Sequence, residues 1–203
     1  MFQRIRFQWQ KTIIQSIVFI LIITGGFIIF SLLKDTPHII KLRENPIILE
    51  SQPLAAKTFK LNDHYRPLNY IKRERFIDNH DKTISDPVTG LMWQQVSSNT
   101  PLDIKNARAY INSLNTSQSK GYNDWRLPTI EELMSLLEAE KQNNQLFIDP
   151  IFSNEHTMFW SSDTLAAKTP FGVRINSAWG VDYYFGYVFW GYLDNKYYIR
   201  AVR

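Results

Sequence analysis

Three aspartates near the middle of the chain, Asp78, Asp81 and Asp86, lie close enough in sequence to suggest a calcium-binding loop. An EF-hand loop carries oxygen ligands at its first, third and fifth positions and glycine at its sixth. With Asp78 in the first position, the third position is His80 and the sixth is Thr83. The spacing therefore favours turns, and we predict no metal ion here.

Side chains typical of enzyme sites are sparse. The chain has no cysteine, which excludes thiolate metal centres, iron–sulfur clusters and cysteine nucleophiles. It contains no Gly-x-Ser-x-Gly string, and no two histidines have the spacing of metal ligands. We therefore expect a protein that is not an enzyme and needs no cofactor. The histidines are His38, His64, His80 and His156.

The strongest functional signal is an aromatic run near the C-terminus. Half of the twenty residues from Trp179 to Tyr198 are aromatic. Successive residues of a strand point to opposite faces, so such a run places rings on both faces of a sheet. One face fills the core, and the other is either covered by another element or left for a partner, which Tyr and Trp suit. Both interpretations stay open, and the candidate ligand contacts are Trp179, Asp182, Tyr184, Trp190 and Tyr192.

Short strands with turn residues between them precede this run. Strands are predicted at 75–77, 83–85 and 91–94. A helix should follow, with Thr100 as its N-cap and a buried apolar stripe that reaches Leu114.

A second helix is predicted before the C-terminal strands. Thr129 and Glu132 have the spacing of a capping box, and the helix should end near Glu140. Further strands are predicted between 159 and 202, so the expected fold class is α+β.

The N-terminal part of the chain has a different character. From Thr12 to Leu33 there are 22 residues without a charged side chain, which span roughly 33 Å as a helix and match a bilayer core. Apolar residues continue past the cleavage site that a signal peptide would need, so we predict an uncleaved transmembrane helix. The following residues contain several prolines and no sustained period, as a spacer does. The predicted organisation is a short cytoplasmic segment at 1–11, a transmembrane helix at 12–33, a stalk at 34–72 and a folded domain at 73–203.

The charge distribution follows the same division. The net charge of +4 comes from the flanks, because 73–203 alone carries −2. A nucleic-acid partner needs a basic surface on the folded domain, so we expect none. With the amino terminus counted, four positive charges precede the apolar stretch and three follow it within 34–53. This bias predicts a single-pass protein of a bacterial inner membrane, with its C-terminal domain in the periplasm or outside.

Two strings resemble a known family. They are Asp86-Pro-Val-Thr-Gly-Leu-Met-Trp-Gln94 and Asp124-Trp-Arg-Leu-Pro-Thr129. With them, residues 73–203 resemble the bacterial family named after the C-terminal domain of the Legionella collagen-like adhesin. The resemblance implies a C-type-lectin-like fold, with two helices and a twisted antiparallel sheet. Members often have glycine at the positions of His80 and Lys82, and cysteines that this chain lacks.

The function expected from these features is binding. We expect a membrane-anchored, extracytoplasmic adhesion or ligand-binding module that takes a glycan or an envelope protein and is held in the lipid bilayer by 12–33. The alternative is a structural subunit of an envelope complex, held mainly by its anchor and stalk, and self-association into a homo-oligomer stays open. A polyanionic glycan is disfavoured by the charge of the domain unless four basic residues cluster, namely Arg174, Lys196, Arg200 and Arg203.

Overall fold

The computed structural model describes six stretches of the chain, and its fold class is α+β. It divides into two compact units, 1–38 and 39–203. The described residues are 19–23, 26–30, 39–73, 76–143, 145–168 and 172–203.

The first unit contains two strands, β1 (Phe19–Ile23) and β2 (Gly26–Phe30), which pair antiparallel. Both lie inside the range 12–33, so the described residues of that range form strands where a transmembrane helix was predicted, and its other residues lie outside the described part. Within the described residues, no helix combines the length and the apolar character needed to cross a membrane.

The largest sheet of the second unit is built mainly from the C-terminal part of the chain. Strands β7 (Met158–Lys168), β8 (Arg174–Asp182) and β9 (Tyr187–Tyr192) pair antiparallel in sequence order. A short strand, β3 (Ile48–Leu49), lies parallel to β7 on its other side, so β9 is an edge strand.

A smaller sheet confirms the predicted strands in the middle of the chain. It consists of β4 (Ile77–Asp78), β5 (Thr83–Ser85) and β6 (Met92–Gln94). The C-terminal residues run beside β6, with backbone hydrogen bonds of 3.0 Å from Met92 to Arg203 and from Gln94 to Ala201. The C-terminal residues are thus held against β6 by backbone hydrogen bonds.

Both predicted helices are present, with different bounds. Helix α2 (Ile104–Thr116) has Asp103 as its N-cap, and the side chain of Asp103 accepts from the amide of Asn106. The predicted N-cap Thr100 lies outside the helix. Helix α3 (Ile130–Ser135) has the predicted capping box of Thr129 and Glu132 but ends at Ser135, well before Glu140. A further helix, α1 (Gln52–Thr58), lies in the segment that was predicted to be a stalk.

The prediction of a stalk at 34–72 is wrong for residues 39–72, which contain helix α1. Residues 39–72 belong to the same compact unit as the rest of the domain, through β3 and α1. Ala55, Phe59 and Leu61 of this segment are buried, and the ring of Phe59 meets that of Trp179 edge to face at 5.6 Å. The segment folds because these apolar groups cover one face of the large sheet, and only 34–38 separate the predicted span from the domain.

The large sheet therefore lies between two apolar cores. On one face, Trp179, Val181 and Val188 pack with residues of α1 and α3. On the other face, Ala178 and Phe189 pack with α2. The aromatic run does place rings on both faces, and both faces are covered by elements of the domain.

Candidate functional site

The aromatic run folds as a hairpin instead of one continuous strand. Strand β8 ends at Asp182, and four residues form a turn before β9 begins at Tyr187. Gly186 has a φ of +73°, a backbone conformation that glycine adopts without strain. The turn interrupts the strand alternation, so Tyr184 and Phe185 both lie at the surface.

Two of the five candidate contacts are buried. Trp179 has no exposed surface and belongs to the core under α1. The carboxylate of Asp182 is buried and accepts from the amide of Tyr184 at 2.8 Å, which closes the turn. Burial raises the pKa of Asp182, although the amides of Tyr184 and Phe185 act in the opposite direction. Neither side chain is placed to meet a ligand from solvent.

The other three candidates reach the surface in two places. Tyr184 is 47% exposed and lies in the turn of the hairpin. Tyr192 is 53% exposed at the far end of β9, where its ring meets that of Trp190 at 5.9 Å. Trp190 is half-buried, because its inner side packs against the core. The hairpin thus presents one aromatic group at its turn and another along its edge.

Trp190, but not Tyr192, lines a groove of about 390 Å³, which we call the β9 groove. Strand β9 forms one wall, and the start of α1 together with the segment that follows α1 forms the other. Its polar groups are the amide of Gln52, the imidazole of His64 and tyrosine hydroxyls, and the lining residues that the structure describes include no Asp, Glu, Lys or Arg. The lining residues are Gln52, His64, Tyr65, Tyr187, Val188, Phe189 and Trp190.

The backbone of β9 also faces this groove. The amide of Val188 donates to the carbonyl of Tyr65 at 2.8 Å, away from β8. Residues two apart in an antiparallel strand direct their backbone groups to the same side. The amide and carbonyl of Trp190 therefore point to the open edge, where a ligand can use them beside the indole ring.

The groove includes three residues that sequence reasoning missed. Gln52, His64 and Tyr65 lie in the segment interpreted as a spacer, so nothing in their pattern marked them. Tyr65 adopts a φ of +58°, which is uncommon for a residue other than glycine. This conformation occurs where its carbonyl meets β9, but it is not visible in the sequence.

The remaining sequence candidates have structural roles. Asp78 and Asp81 accept from the backbone amides of His80 and Thr83, as turn residues do. Among the described residues, no cluster of three or more His, Cys, Asp or Glu side chains could hold a metal ion.

Two of the four basic residues considered for a polyanion have partners inside the domain. Arg200 is fully buried and donates to the carbonyls of Gln94, Gln95 and Ser153. Burial lowers the pKa of Arg200 to about 10. Arg203 is paired with Asp124 through two hydrogen bonds.

One serine and one histidine approach each other outside the groove. The Oγ of Ser97 lies 2.8 Å from the Nδ1 of His156, whose ring stacks on Tyr198. Ser97 is buried and also donates to the carbonyl of Ser98. A nucleophile must reach its substrate, so this pair is a packing contact of the core edge.

The fold and the groove define a small α+β domain with an uncharged, aromatic surface site. The sequence model of the family described as "Lcl C-terminal domain" matches residues 82–203, which is more than half of the chain. The chain belongs to this family, as the DPVTGLMWQ and DWRLPT strings predicted. No curated protein and no solved structure shows significant similarity to it. The match begins after α1, so one wall of the β9 groove lies outside the matched region.

Proposed function

We propose that this protein is a membrane-anchored, extracytoplasmic binding module without enzymatic activity, and that its β9 groove holds a neutral glycan. The proposal includes a C-type-lectin-like fold for the domain. The small α+β architecture and the pairing of the chain end with β6 support that assignment.

The observation that carries the proposal is the composition of the groove. Its walls combine the half-buried rings of Tyr187 and Trp190 with the side-chain amide of Gln52 and the imidazole of His64. Sugar rings have apolar faces and a rim of hydroxyls, so they match a site with both aromatic surfaces and neutral hydrogen-bonding groups. A polyanion would find no cation in this lining to offset its charge.

The apolar stretch 12–33 supports the membrane anchor. It carries no charge over 22 residues and is preceded by Arg4, Arg6 and Lys11. In a bilayer it would hold the domain on the extracytoplasmic side. The alternative of a structural subunit relied on a separate stalk as a main contact, and residues 39–72 are folded into the domain instead.

The test is glycan binding by the full chain in detergent micelles, on an array with neutral and polyanionic glycans. We expect binding to neutral glycans only. Trp190→Ala and His64→Ala should each weaken the binding, by about tenfold for the tryptophan, which corresponds to about 1.4 kcal/mol. His64 is exposed, so its variant is not expected to disturb the fold.

The matched control is Tyr184→Ala, which removes an exposed aromatic ring of the same hairpin outside the groove. It should bind like the unmodified chain. Equal loss in Tyr184→Ala and Trp190→Ala, or binding to polyanions alone, would overturn the assignment of the groove.

A further inference from the structure

A second surface of the hairpin has features that the β9 groove does not use. We call Tyr184 and Phe185 the aromatic tip. Tyr184 is 47% exposed and Phe185 is 54% exposed, with perpendicular rings 4.8 Å apart. Two neighbouring exposed rings form a surface suited to an apolar partner.

The turn that carries the tip is rigid. The amide of Gly186 donates to the carbonyl of Asp182 at 2.8 Å, and the amide of Tyr184 donates to the Asp182 carboxylate. A β-carbon at Gly186 would lie 2.8 Å from the ring of Phe147, so the turn fits closely against that ring. The tip cannot fold back to bury its rings without losing these contacts.

The base of the tip is fixed to the core. Tyr183 is fully buried, and its hydroxyl donates to the carbonyl of Leu133 at 2.9 Å. The amide of Phe147 donates to the carbonyl of Tyr183 at 2.7 Å. The hairpin therefore holds the two exposed rings on a preorganised support, which lowers the entropic cost of inserting them into a partner.

Two cations flank the tip. The Nζ of Lys141 lies 4.3 Å from the centre of the Tyr184 ring. The Nη2 of Arg66 donates to the carbonyl of Phe185 at 2.6 Å. Aromatic rings with basic side chains beside them occur where proteins meet the interface of a bilayer, with the rings at headgroup level and the cations near lipid phosphates.

We propose that the aromatic tip inserts into the headgroup region of the membrane that carries this protein. The inference rests on the proposed anchor at 12–33. The domain begins at Ile39, so only five residues follow the apolar stretch, and they extend over at most about 18 Å. In the proposed topology a lipid surface therefore lies within about 18 Å of Ile39 in every copy.

The absence of cysteine from the sequence allows a direct test. Asn143→Cys places a fluorescent label on an exposed residue two positions after Lys141, and Tyr192→Cys places the same label at the far end of β9. Each full chain is reconstituted into vesicles of phosphatidylcholine and phosphatidylglycerol that contain lipids with a quencher at headgroup depth. We expect quenching of the label at 143 and little at 192.

A second variant separates insertion from mere proximity. Tyr184→Ser and Phe185→Ser together, in the Asn143→Cys chain, should abolish the quenching at 143 while neutral-glycan binding persists. Co-flotation of the protein with the vesicles reports the anchor independently. Co-flotation without quenching at 143, or with quenching that survives the serine substitutions, would overturn the proposal for the tip and leave the anchor standing. Failure to co-float would overturn both the tip and the anchor.

Discussion

The guanidinium of Arg43 and the carboxylate of Asp163 form a two-fold hydrogen bond, with each nitrogen–oxygen distance 2.8 Å. Asp163 is fully buried in β7, and its two oxygens also accept from the backbone amides of Ile47 and Ile130, each at 2.7 Å. Arg43 also contacts Glu131 at the start of α3. One carboxylate thus connects the N-terminal segment, the large sheet and α3.

Arg43→Met should lower the free energy of unfolding by about 3 kcal/mol. The substitution leaves a buried carboxylate without its cation, and removal of one partner of a buried pair costs about 3–5 kcal/mol. We take the lower end because the side chain of Arg43 is 24% exposed. Urea unfolding of the full chain in micelles, followed by tryptophan fluorescence, measures the difference.

The control for this prediction is Arg203→Met. Arg203 makes the same two-fold contact with Asp124, but that carboxylate is 57% exposed. Exposed pairs contribute less than about 1 kcal/mol, so the variant should unfold almost like the unmodified chain. Equal losses in the two variants would show that the burial of Asp163 does not control the strength of the Arg43 contact.

Phe59→Ala should cost about 3–5 kcal/mol of unfolding free energy, as deletion of a buried aromatic ring usually does. Phe59 follows α1 and covers Trp179. Leu54→Ala, on the exposed side of the same helix, should cost less than about 1 kcal/mol and serves as the control. A small effect of Phe59→Ala in the same urea unfolding experiment would mean that 39–72 is a loosely attached spacer after all.

Local signals predicted the elements that depend on neighbouring residues. The capping box at Thr129 and Glu132 and the strand at 83–85 each rest on contacts within a few residues, and both are confirmed. The error in the predicted N-cap of α2 also has a local cause. Thr100 and Asp103 are both acceptable caps, and the backbone pairing of Leu102 with Tyr197 holds the residues before Asp103 out of the helix.

The prediction of a stalk was wrong for 39–72 because proline is common both in extended spacers and in the first turn of a helix. Proline interrupts the interior of a helix, but Pro53 lies in the first turn of α1 after the N-cap Ser51, where proline is favoured. The pairing of Arg43 with Asp163 joins residues 120 positions apart, and no pattern in one sequence identifies such a contact. The aromatic run is contiguous in sequence and could be predicted. The opposite wall of the groove approaches it only in the folded chain and could not be.

His80→Gly and Lys82→Gly should each raise the free energy of unfolding by about 1 kcal/mol. Both residues have positive φ, 62° and 69°, in the turn between β4 and β5. Side chains other than glycine pay about 1–2 kcal/mol in this conformation, part of which the greater freedom of unfolded glycine removes. The turn thus keeps a conformation that suits the glycines common in the family at these positions.

Thermal and urea unfolding of the two glycine variants test this prediction. Arg108→Gly, at an exposed position inside α2, is the control and should lower the free energy of unfolding by about 1 kcal/mol. A loss of stability in both turn variants would mean that contacts of the His80 and Lys82 side chains outweigh the backbone cost.

His156 should make the stability of the domain decrease as the pH falls below about 6.5. Burial lowers the pKa of His156, and the nearby Arg200 acts in the same direction, while Glu155 opposes them. Between this lowered pKa and the unfolded value near 6.5, the unfolded chain binds the proton more readily than the folded one. The free energy of unfolding therefore rises with pH through this window. Above the window the stabilising contribution of the neutral imidazole is complete.

His156→Gln should flatten this part of the stability profile, measured by urea unfolding from about pH 5 to about pH 7.5. Glutamine does not titrate, so the difference between the two chains should be larger near neutral pH than at the acidic end. The ring lies 3.5 Å from that of Tyr198, so loss of stacking lowers the stability at every pH and does not mimic the change in slope. An unchanged slope in His156→Gln would assign the acid sensitivity to another group.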